Sequence, residues 1–241
     1  MPFTFSHPAA VLPLRYLAKH WLSLTGLVVG SMVPDFEYFI RMKIESKYSH
    51  TLAGLFWFDL PLGLLLMLIY NAFVKDSLID HLPTALNRRF SDFKTASKPK
   101  LKYYLPIVVI SILIGAATHI FWDGFTHPDG CFVLSIHKLR HHIFVAGHSF
   151  QLYNILQQIS SFIGALVILA VILRLPLHQK TRATNIFYYW LLVFAIALIV
   201  VTIRMLTGLS WARYGDVIVT SISGLLIGLL ITSILIRERV A

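Results

Sequence analysis

The chain has 241 residues, of which 57% are hydrophobic and 13% are charged, and its formal net charge is +10. In soluble domains about a quarter of the residues are charged, so this composition excludes an ordinary soluble protein and indicates a membrane protein. The expected partner of such a protein is the lipid bilayer. In such a protein the positive charge belongs to loops that set orientation, and no soluble basic domain is evident that would bind nucleic acid. The single cysteine, Cys131, excludes an internal disulfide and any cysteine-based zinc site.

Residues 8–34 are apolar enough for one long span, but polar and helix-breaking residues interrupt the run. The interruptions are Pro13, Arg15, Lys19, His20 and Gly26. We therefore predict two short helices joined by a turn near residues 20–25, each arm roughly 16–18 Å long at 1.5 Å per residue. Arms of that length do not cross a bilayer. Residues 1–36 are thus expected to form a re-entrant hairpin packed against protein, which returns Asp35 to the side of His7.

Five later stretches of about twenty apolar residues each predict transmembrane helices. They cover residues 52–74, 103–123, 151–174, 185–207 and 213–236. The predicted fold is therefore an all-α polytopic membrane helix bundle. It is a single membrane domain over residues 1–241, with five transmembrane helices and the N-terminal re-entrant hairpin.

Basic residues are distributed unevenly among the connections between these spans. Residues 75–102, residues 174–184 and the C-terminal tail together carry twelve Lys and Arg, against seven on the connections of the opposite side. The positive-inside rule places residues 75–102 and the C-terminus in the cytoplasm. Within that loop, residues 76–98 have apolar residues at helical spacing among charges, which predicts an amphipathic interfacial helix. A partner-binding helix is the alternative.

This topology gathers imidazole and carboxylate side chains on the non-cytoplasmic side. They are His7, Asp35, His50, His119 and Asp123. His119 and Asp123 lie four residues apart, so both project from one helix face. Neutral imidazole with carboxylate, without thiolate, suits zinc, manganese or iron. Each residue alone has an ordinary explanation as a packing histidine or a turn residue, but their concentration in a chain with few charges predicts one divalent metal centre.

Further ionisable residues accompany this predicted centre. Candidates for general acid–base chemistry are Glu37, Glu45, Asp59 and His127, and candidates for substrate contact are His141, His142 and His148. Asp59 lies about nine residues into its span, where a carboxylate is costly, so it is a candidate for supporting the metal ligands or for proton transfer. A hydrogen bond to a polar residue of a neighbouring helix is the alternative.

Four stretches carry a resemblance to known families. They are MPFTFSHPAAV at residues 1–11, GSMVPDFEYF at residues 30–39, SHT at residues 49–51, and the helical segment with His119 and Asp123. They resemble a bacterial membrane family catalogued only as a domain of unknown function. More distantly, the chain is similar to inner-membrane metal-dependent hydrolases, some of them LexA-regulated. The residues that match the hydrolase motifs are His7, Asp35, Glu37, His50, His119 and Asp123. The chain departs from those motifs at Glu45, where the hydrolases have a histidine, and at His127, which is inserted before Pro128.

The residues and the resemblance together predict a metal-dependent hydrolase in the bacterial cytoplasmic (inner) membrane, with a His/Asp centre near the extracytoplasmic surface. The expected cofactor is one divalent ion, with zinc favoured and manganese or iron as alternatives. The expected substrates are phosphoesters or lipid headgroups. The alternative is a non-catalytic protein that transports or senses a metal ion or a proton, which Asp59 within the bilayer favours. A structural scaffold is the third possibility, and the sequence leaves the oligomeric state open.

Overall fold

The structure is a computed structural model that describes residues 3–17, 21–95, 101–145, 147–179 and 185–238. These residues form a helical protein with one small sheet. The helices are α1 (Pro8–Leu17), α2 (Leu24–Gly30), α3 (Phe36–Arg41), α4 (Leu60–Ile69), α5 (Lys75–Asp80), α6 (Thr84–Phe90), α7 (Asp92–Thr95), α8 (Leu101–Thr126), α9 (Cys131–Ser135), α10 (Leu152–Arg174), α11 (Ile186–Leu206) and α12 (Tyr214–Glu238), and the strands are β1 (His142–Val145) and β2 (His148–Gln151). Short 3-10 helices lie at Thr4–Ser6, Val33–Asp35 and His137–Arg140, and π-helical turns lie at Leu55–Asp59 and Tyr70–Val74.

Five helical segments are long and apolar enough to cross a membrane, and they correspond to the five apolar stretches predicted from the sequence. They are Leu55–Asp80, Tyr104–Ser135, Leu152–Arg174, Ile186–Leu206 and Tyr214–Ile236. The first segment combines α4 and α5 with the two π-helical turns. These helices are compatible with a multi-pass membrane protein, as the composition indicates.

The chain forms two compact units. The first contains Met1–Asp35, Tyr48–Leu64 and Pro99–Ile172, and the second contains Phe36–Lys47, Leu65–Lys98 and Leu173–Ala241. The first unit therefore includes α1, α2, α8, α9, the sheet and nearly all of α10. The second includes α3, α5, α6, α7, α11 and α12. All five predicted metal ligands belong to the first unit.

In the first unit, α2 packs closely against α8 because small residues lie where the two helices meet. A Cβ atom on Gly30 would lie 2.3 Å from the carbonyl oxygen of Ile112, and one on Gly115 would lie 2.5 Å from the carbonyl oxygen of Leu27. Glycines at such crossings let two helix backbones approach within a membrane. The close approach brings the turn Val33–Asp35, which follows α2, against α8.

The two short helices expected in residues 8–34 are α1 and α2, and they pack against each other. Residues 18–20, where part of the predicted turn falls, lie outside the described residues. The Ser23 side chain accepts a hydrogen bond from the Gly26 backbone N–H, which caps the start of α2. The re-entrant placement of these helices in a membrane stays a prediction.

The amphipathic helix predicted over residues 76–98 is divided into three short helices, α5, α6 and α7. Pro83 explains the first break, because proline lacks a backbone N–H and disfavours helical geometry in the residue before it. Arg89 of α6 donates a hydrogen bond to the carbonyl oxygen of Leu173 at 2.5 Å, and so satisfies a carbonyl group that the end of α10 leaves open. Residues 96–100 of the predicted basic loop lie outside the described residues.

The structure contains a β-hairpin that the all-α prediction did not include. β1 pairs antiparallel with β2, from His142 opposite Gln151 to Val145 opposite His148. β-Branched and aromatic residues in β1 favour a strand, and Gly147 takes a φ of 81° in the turn, a conformation that glycine adopts without strain. The hairpin directly precedes α10 in the chain.

In the second unit, α12 packs against α3 and α11. Ser223 of α12 donates a hydrogen bond to the carbonyl oxygen of Phe39 at 2.7 Å. Asp216, at the start of α12, accepts a hydrogen bond from the backbone N–H of Ile44 at 2.8 Å. These bonds pair polar groups inside a largely apolar unit, where an unpaired polar group would be costly.

Candidate metal centre

Four side chains from three separate parts of the first unit meet at one point. They are Asp35, His50, His119 and Asp123, and each offers one ligand atom, all within 4.8 Å of one another. Asp35 ends the 3-10 turn after α2, and His50 lies in the loop before the first span. His119 and Asp123 lie one turn apart on α8. This cluster could bind a metal ion.

The spacing of the four ligand atoms matches the spacing of ligands around one ion. Nε2 of His119 lies 3.2 Å from Oδ2 of Asp123 and 3.5 Å from Oδ1 of Asp35. Nε2 of His50 lies 3.4 Å from the same Asp123 oxygen and 3.5 Å from the same Asp35 oxygen. Ligands bound at about 2.1 Å in a tetrahedral zinc site are separated by about 3.4 Å. The residues present therefore fit a zinc-sized ion.

Several of these ligand atoms are buried and have no hydrogen-bond partner among the described residues. They are Nε2 of His119, Oδ1 of Asp35 and both side-chain oxygens of Asp123. Hydrogen bonds of the N–H···O type have lengths near about 2.9–3.0 Å, so the separations of these atoms are long for such bonds. Buried polar atoms without a partner are rare because they are costly, and a shared cation would satisfy all of them together.

Residues behind the cluster hold the ligands in orientation. Nδ1 of His119 lies 2.7 Å from the carbonyl oxygen of Ser31. Because a carbonyl oxygen only accepts, Nδ1 carries a proton, and Nε2 is the atom that would present a lone pair to an ion when the ring is neutral. The Thr4 hydroxyl donates to Oδ2 of Asp35 at 2.5 Å, and the Ser49 hydroxyl hydrogen-bonds with Nδ1 of His50 at 2.9 Å.

The electrostatics at the edge of the cluster keep Asp35 ionised and His7 neutral, whereas His50 favours its protonated form and would release that proton on binding an ion. Burial by itself raises the pKa of Asp35, but the neighbouring His119 and His50 rings outweigh burial and hold the pKa well below its usual range. Burial lowers the pKa of His50, but Asp123 and Asp35 outweigh it and raise the pKa above its usual value. Burial, with the nearby His119 ring, lowers the pKa of His7 to about 3, so His7 is neutral at pH 7.

His7, the fifth predicted ligand, lies beside the four-residue cluster. Its Nε2 atom is 3.6 Å from Oδ1 of Asp123, and its ring stacks on the ring of His119 with centroids 3.7 Å apart. That Nε2 atom is also buried and has no hydrogen-bond partner among the described residues. His7 faces the Asp123 oxygen that the other histidines leave free, and its role as a ligand stays a prediction.

His127 lies at the exposed edge of the cluster. Its Nδ1 atom donates a hydrogen bond to the backbone carbonyl oxygen of Asp123 at 3.2 Å and lies 3.6 Å from Oδ2 of that residue. Its Nε2 atom is buried and has no hydrogen-bond partner within the described chain. The side chains of His127 and His50 are 18% and 19% exposed, whereas those of Asp35 and His119 are fully buried. The partly exposed side of the cluster is therefore the one formed by His50 and His127, although the ligand atoms themselves are buried.

Glu37 and Glu45, two predicted acid–base residues, make ion pairs within the second unit. Glu37 is buried and accepts hydrogen bonds from Arg41 Nε at 2.8 Å and from the Lys47 backbone N–H at 2.9 Å. Glu45 is partly exposed, and hydrogen bonds from Lys43 and Lys47 lower its pKa to about 2. Both carboxylates thus have cationic partners of their own.

The remaining predicted residues belong to other parts of the first unit. Asp59 is fully buried at the end of the π-helical turn Leu55–Asp59. His142 and His148 lie on the exposed hairpin, where Nδ1 of His142 hydrogen-bonds with the Ser149 hydroxyl at 2.7 Å, and His141 directly precedes β1. These three histidines are exposed and are not members of the cluster. Their contact with a substrate stays a prediction.

Sequence reasoning did not identify the residues that orient the ligands. These are Thr4, Ser31 and Ser49. Each lies within four residues of a predicted ligand in the sequence, which is the only signal that could have suggested them. The Ser31 contribution comes from its backbone carbonyl, so no side-chain pattern could have indicated it.

One comparison with known proteins gives a match, and it covers nearly the whole chain. No curated protein and no solved structure matches it. A family model described as a domain of unknown function matches residues 1–234, a range that contains all the residues of the cluster and those that orient them. The chain therefore belongs to the DUF4184 family.

Proposed function

We propose that this protein is a metal-dependent hydrolase of the bacterial cytoplasmic membrane. In this proposal Asp35, His50, His119 and Asp123 hold one divalent ion, zinc in the first instance, and His7 is an additional ligand. The observation that carries the proposal is the convergence of buried ligand atoms, without hydrogen-bond partners among the described residues, at the spacing of metal ligands.

Charge balance supports a divalent ion. Asp35 and Asp123 contribute two negative charges, and neutral imidazoles add none, so a divalent cation makes the centre neutral. Neutrality matters because an isolated charge is costly to bury away from water. Imidazole and carboxylate together suit zinc, and also manganese or iron, and the cluster contains no thiolate.

Access to the cluster favours catalysis over a purely structural role. Structural zinc sites are closed by protein ligands, whereas catalytic sites keep a position open for water or substrate. In this cluster the partly exposed side chains are those of His50 and His127, on one side. A substrate would enter from that side.

His127 is the residue best placed to move a proton. A divalent ion at such a site supplies a nucleophilic water and polarises the bond to be broken. Because Nδ1 of His127 donates to the Asp123 carbonyl oxygen, Nε2 carries a lone pair and can accept the proton of the attacking water. The same Nε2 atom then returns that proton to the leaving oxygen. The charges of Asp35 and Asp123 stay constant during these steps.

Exposed aromatic side chains near the cluster in the chain favour a substrate held at the membrane surface. Tyr48, two residues before His50, contacts Trp57 with ring centroids 5.2 Å apart, and both are more than two-fifths exposed. Trp122, next to Asp123, is 40% exposed. Tyrosine and tryptophan concentrate at membrane–water interfaces. We therefore propose phosphoesters, including lipid headgroups, as the substrate class.

The proposed location is the extracytoplasmic side of the membrane. The cluster joins the beginning of the first span to the end of the second, as expected of neighbouring antiparallel spans, and the more basic residues 75–102 would then face the cytoplasm. Single cysteines at positions 95 and 138, in a Cys131→Ser background, test this orientation in intact cells. An impermeant reagent should label position 138. Labelling of position 95 instead would reverse the orientation.

The metal centre is tested by metal analysis of the purified protein after exposure to zinc. About one equivalent should remain bound to the wild type and to His142→Ala, an exposed-histidine control. His119→Ala should lose it. Hydrolysis of a chromogenic phosphodiester and of phospholipid vesicles should require the ion, and His127→Gln should lower the rate while the metal content is kept. A wild type that retains no ion would overturn the proposal.

Asp59 favours a second candidate function, the transport or sensing of a metal ion or proton. It is fully buried within a membrane span, where ionisable residues often mark ion pathways. Proteoliposomes loaded with a zinc or pH indicator separate the two candidates. Flux that depends on Asp59, in protein without hydrolytic activity, would favour transport.

A further inference from the structure

Residues 3–7 connect the proposed metal centre to helix α10. Towards the cluster, the Thr4 hydroxyl donates to Asp35 and Nε2 of His7 faces Asp123. Towards α10, the Phe3 backbone N–H donates to the Ser161 hydroxyl at 2.9 Å. The segment therefore has one set of contacts with the ligands and another with a membrane-spanning helix.

The contact with α10 is close as well as hydrogen-bonded. The Ser6 hydroxyl donates to the backbone carbonyl oxygen of Ser161 at 2.9 Å, and Ser6 is buried. A Cβ atom on Gly164 would lie 2.9 Å from both the Cβ atom and the carbonyl oxygen of Ser6. Gly164 follows Ser161 by three residues and so lies on the same face of α10. The two positions together form one contact surface on α10 for residues 3–7.

The contact with Asp35 fixes the orientation of its carboxylate plane. Thr4 holds Oδ2, and Oδ1 is the atom that lies 3.5 Å from both His50 and His119. Without the threonine hydroxyl, the carboxylate could rotate away from the orientation that points one oxygen at the two histidines. Residues that orient a ligand in this way commonly contribute about 10–100-fold to metal affinity.

We infer that residues 3–7 form a clasp that retains the metal ion, and that Ser161 and Gly164 of α10 are the positioning residues that anchor it. The inference rests on the metal centre of the proposed function. The anchor keeps Thr4 on Asp35 and His7 beside Asp123, so the ligands are arranged before the ion binds. A loosened clasp should raise the rate at which the ion is lost.

Two adjacent serines provide a matched pair of variants. The hydroxyls of Ser160 and Ser161 donate to the carbonyl oxygen of Gln157 at 3.0 and 2.8 Å, so Ser160→Ala and Ser161→Ala lose the same local bond. Only Ser161 also accepts the Phe3 N–H. Gly164→Ala is a second way to loosen the clasp, because the added methyl group would displace Ser6.

The clasp can be observed without any metal. A nitroxide label on Phe5→Cys, in a Cys131→Ser background treated with chelator, reports the mobility of residues 3–7. Ser161→Ala and Gly164→Ala should make the label more mobile, whereas Ser160→Ala should leave its spectrum unchanged. If neither of the first two variants changes the spectrum, α10 does not anchor the segment.

The consequence for the ion is measured as the rate of zinc release to a chromogenic chelator. Ser161→Ala should release zinc about tenfold faster than Ser160→Ala. Thr4→Val should act similarly, and Thr4→Ser, which keeps the hydroxyl, should restore slow release. A wild type without zinc would contradict the proposed metal centre. A zinc-loaded wild type whose release rate is unaltered in Ser161→Ala and Gly164→Ala would overturn the clasp alone.

Discussion

Two carboxylates only two residues apart in the chain, Asp35 in the first unit and Glu37 in the second, have opposite surroundings. Glu37 is buried, but its carboxylate has hydrogen-bond partners, because Arg41 and the Lys47 backbone N–H both donate to it. Asp35 is fully buried and has one oxygen bonded to Thr4, while its other oxygen has no hydrogen-bond partner among the described residues and faces two histidines. The first arrangement holds a loop in place, and the second can take a cation.

The comparison shows that burial by itself does not identify a functional carboxylate. Both acids are rare charged residues in an apolar chain. What separates them is whether the chain supplies a compensating cation. Arg41 supplies one to Glu37. Asp35 has neutral or titrating imidazoles as neighbours, so a metal ion would complete its surroundings.

Asp123→Asn should have the largest effect on the metal centre. Asparagine keeps the shape of the side chain but removes a charge that faces four histidines. Zinc affinity should fall by more than the roughly 10–100-fold typical of losing an outer partner. Zinc titration measures the affinity, and circular dichroism should show unchanged helix content. Asp35 and Asp123 belong to the same cluster. If Asp123→Asn kept its full zinc content, the cluster would not be the metal site, and Asp35 would have no functional difference from Glu37.

Gly30→Ala should have the next largest effect, through the position of Asp35. The new Cβ atom would collide with the backbone of Ile112, which cannot move aside cheaply, so α2 and the turn after it must shift. Zinc affinity should fall by about tenfold, within the range for outer partners. The control is Gly63→Ala, whose Cβ atom would meet only side-chain atoms of Ile112. Equal effects of the two variants would argue against close packing of α2 on α8 as the cause.

Glu37→Gln should affect stability and leave the metal centre intact. Glutamine still accepts from the Lys47 backbone N–H, but Arg41 loses its charged partner, at a cost of about 1–3 kcal/mol. The thermal unfolding midpoint in detergent should fall by a few degrees, and zinc content should stay at the wild-type level. Loss of zinc in this variant would show that Glu37 contributes to the centre, as the motif resemblance implied.

Glu45→Gln should have the smallest effect. Its partners Lys43 and Lys47 lie about half exposed, and exposed ion pairs are screened by water and salt. Neither the thermal midpoint nor the zinc content should change measurably. A large loss of zinc would instead indicate that Glu45 contributes to the metal centre.

The sequence alone determined the five long apolar helices and the kinds of side chain in the cluster. Five apolar runs are sufficient evidence for five helices, because an apolar segment long enough to cross a bilayer must satisfy its own backbone hydrogen bonds. The pair of His119 and Asp123 could also be placed on one face, since helical periodicity is a local property. Local interactions within a few residues decide both features.

Features that depend on contacts between distant segments were beyond the sequence. The hairpin His142–Gln151 forms through pairing across a turn, and Pro83 and the packing of the short helices divide the loop predicted as one helix. The residue types at positions 35 and 37 did not indicate which carboxylate would have an arginine partner.

The tertiary structure alone decided how the candidate site is assembled. Asp35 and His50 reach His119 because Gly30 and Gly115 let α2 approach α8, a contact between residues more than eighty positions apart. The carbonyl oxygen of Ser31 orients His119 for the same reason. A backbone carbonyl has no sequence signature, so only the packing of the two helices could reveal its role.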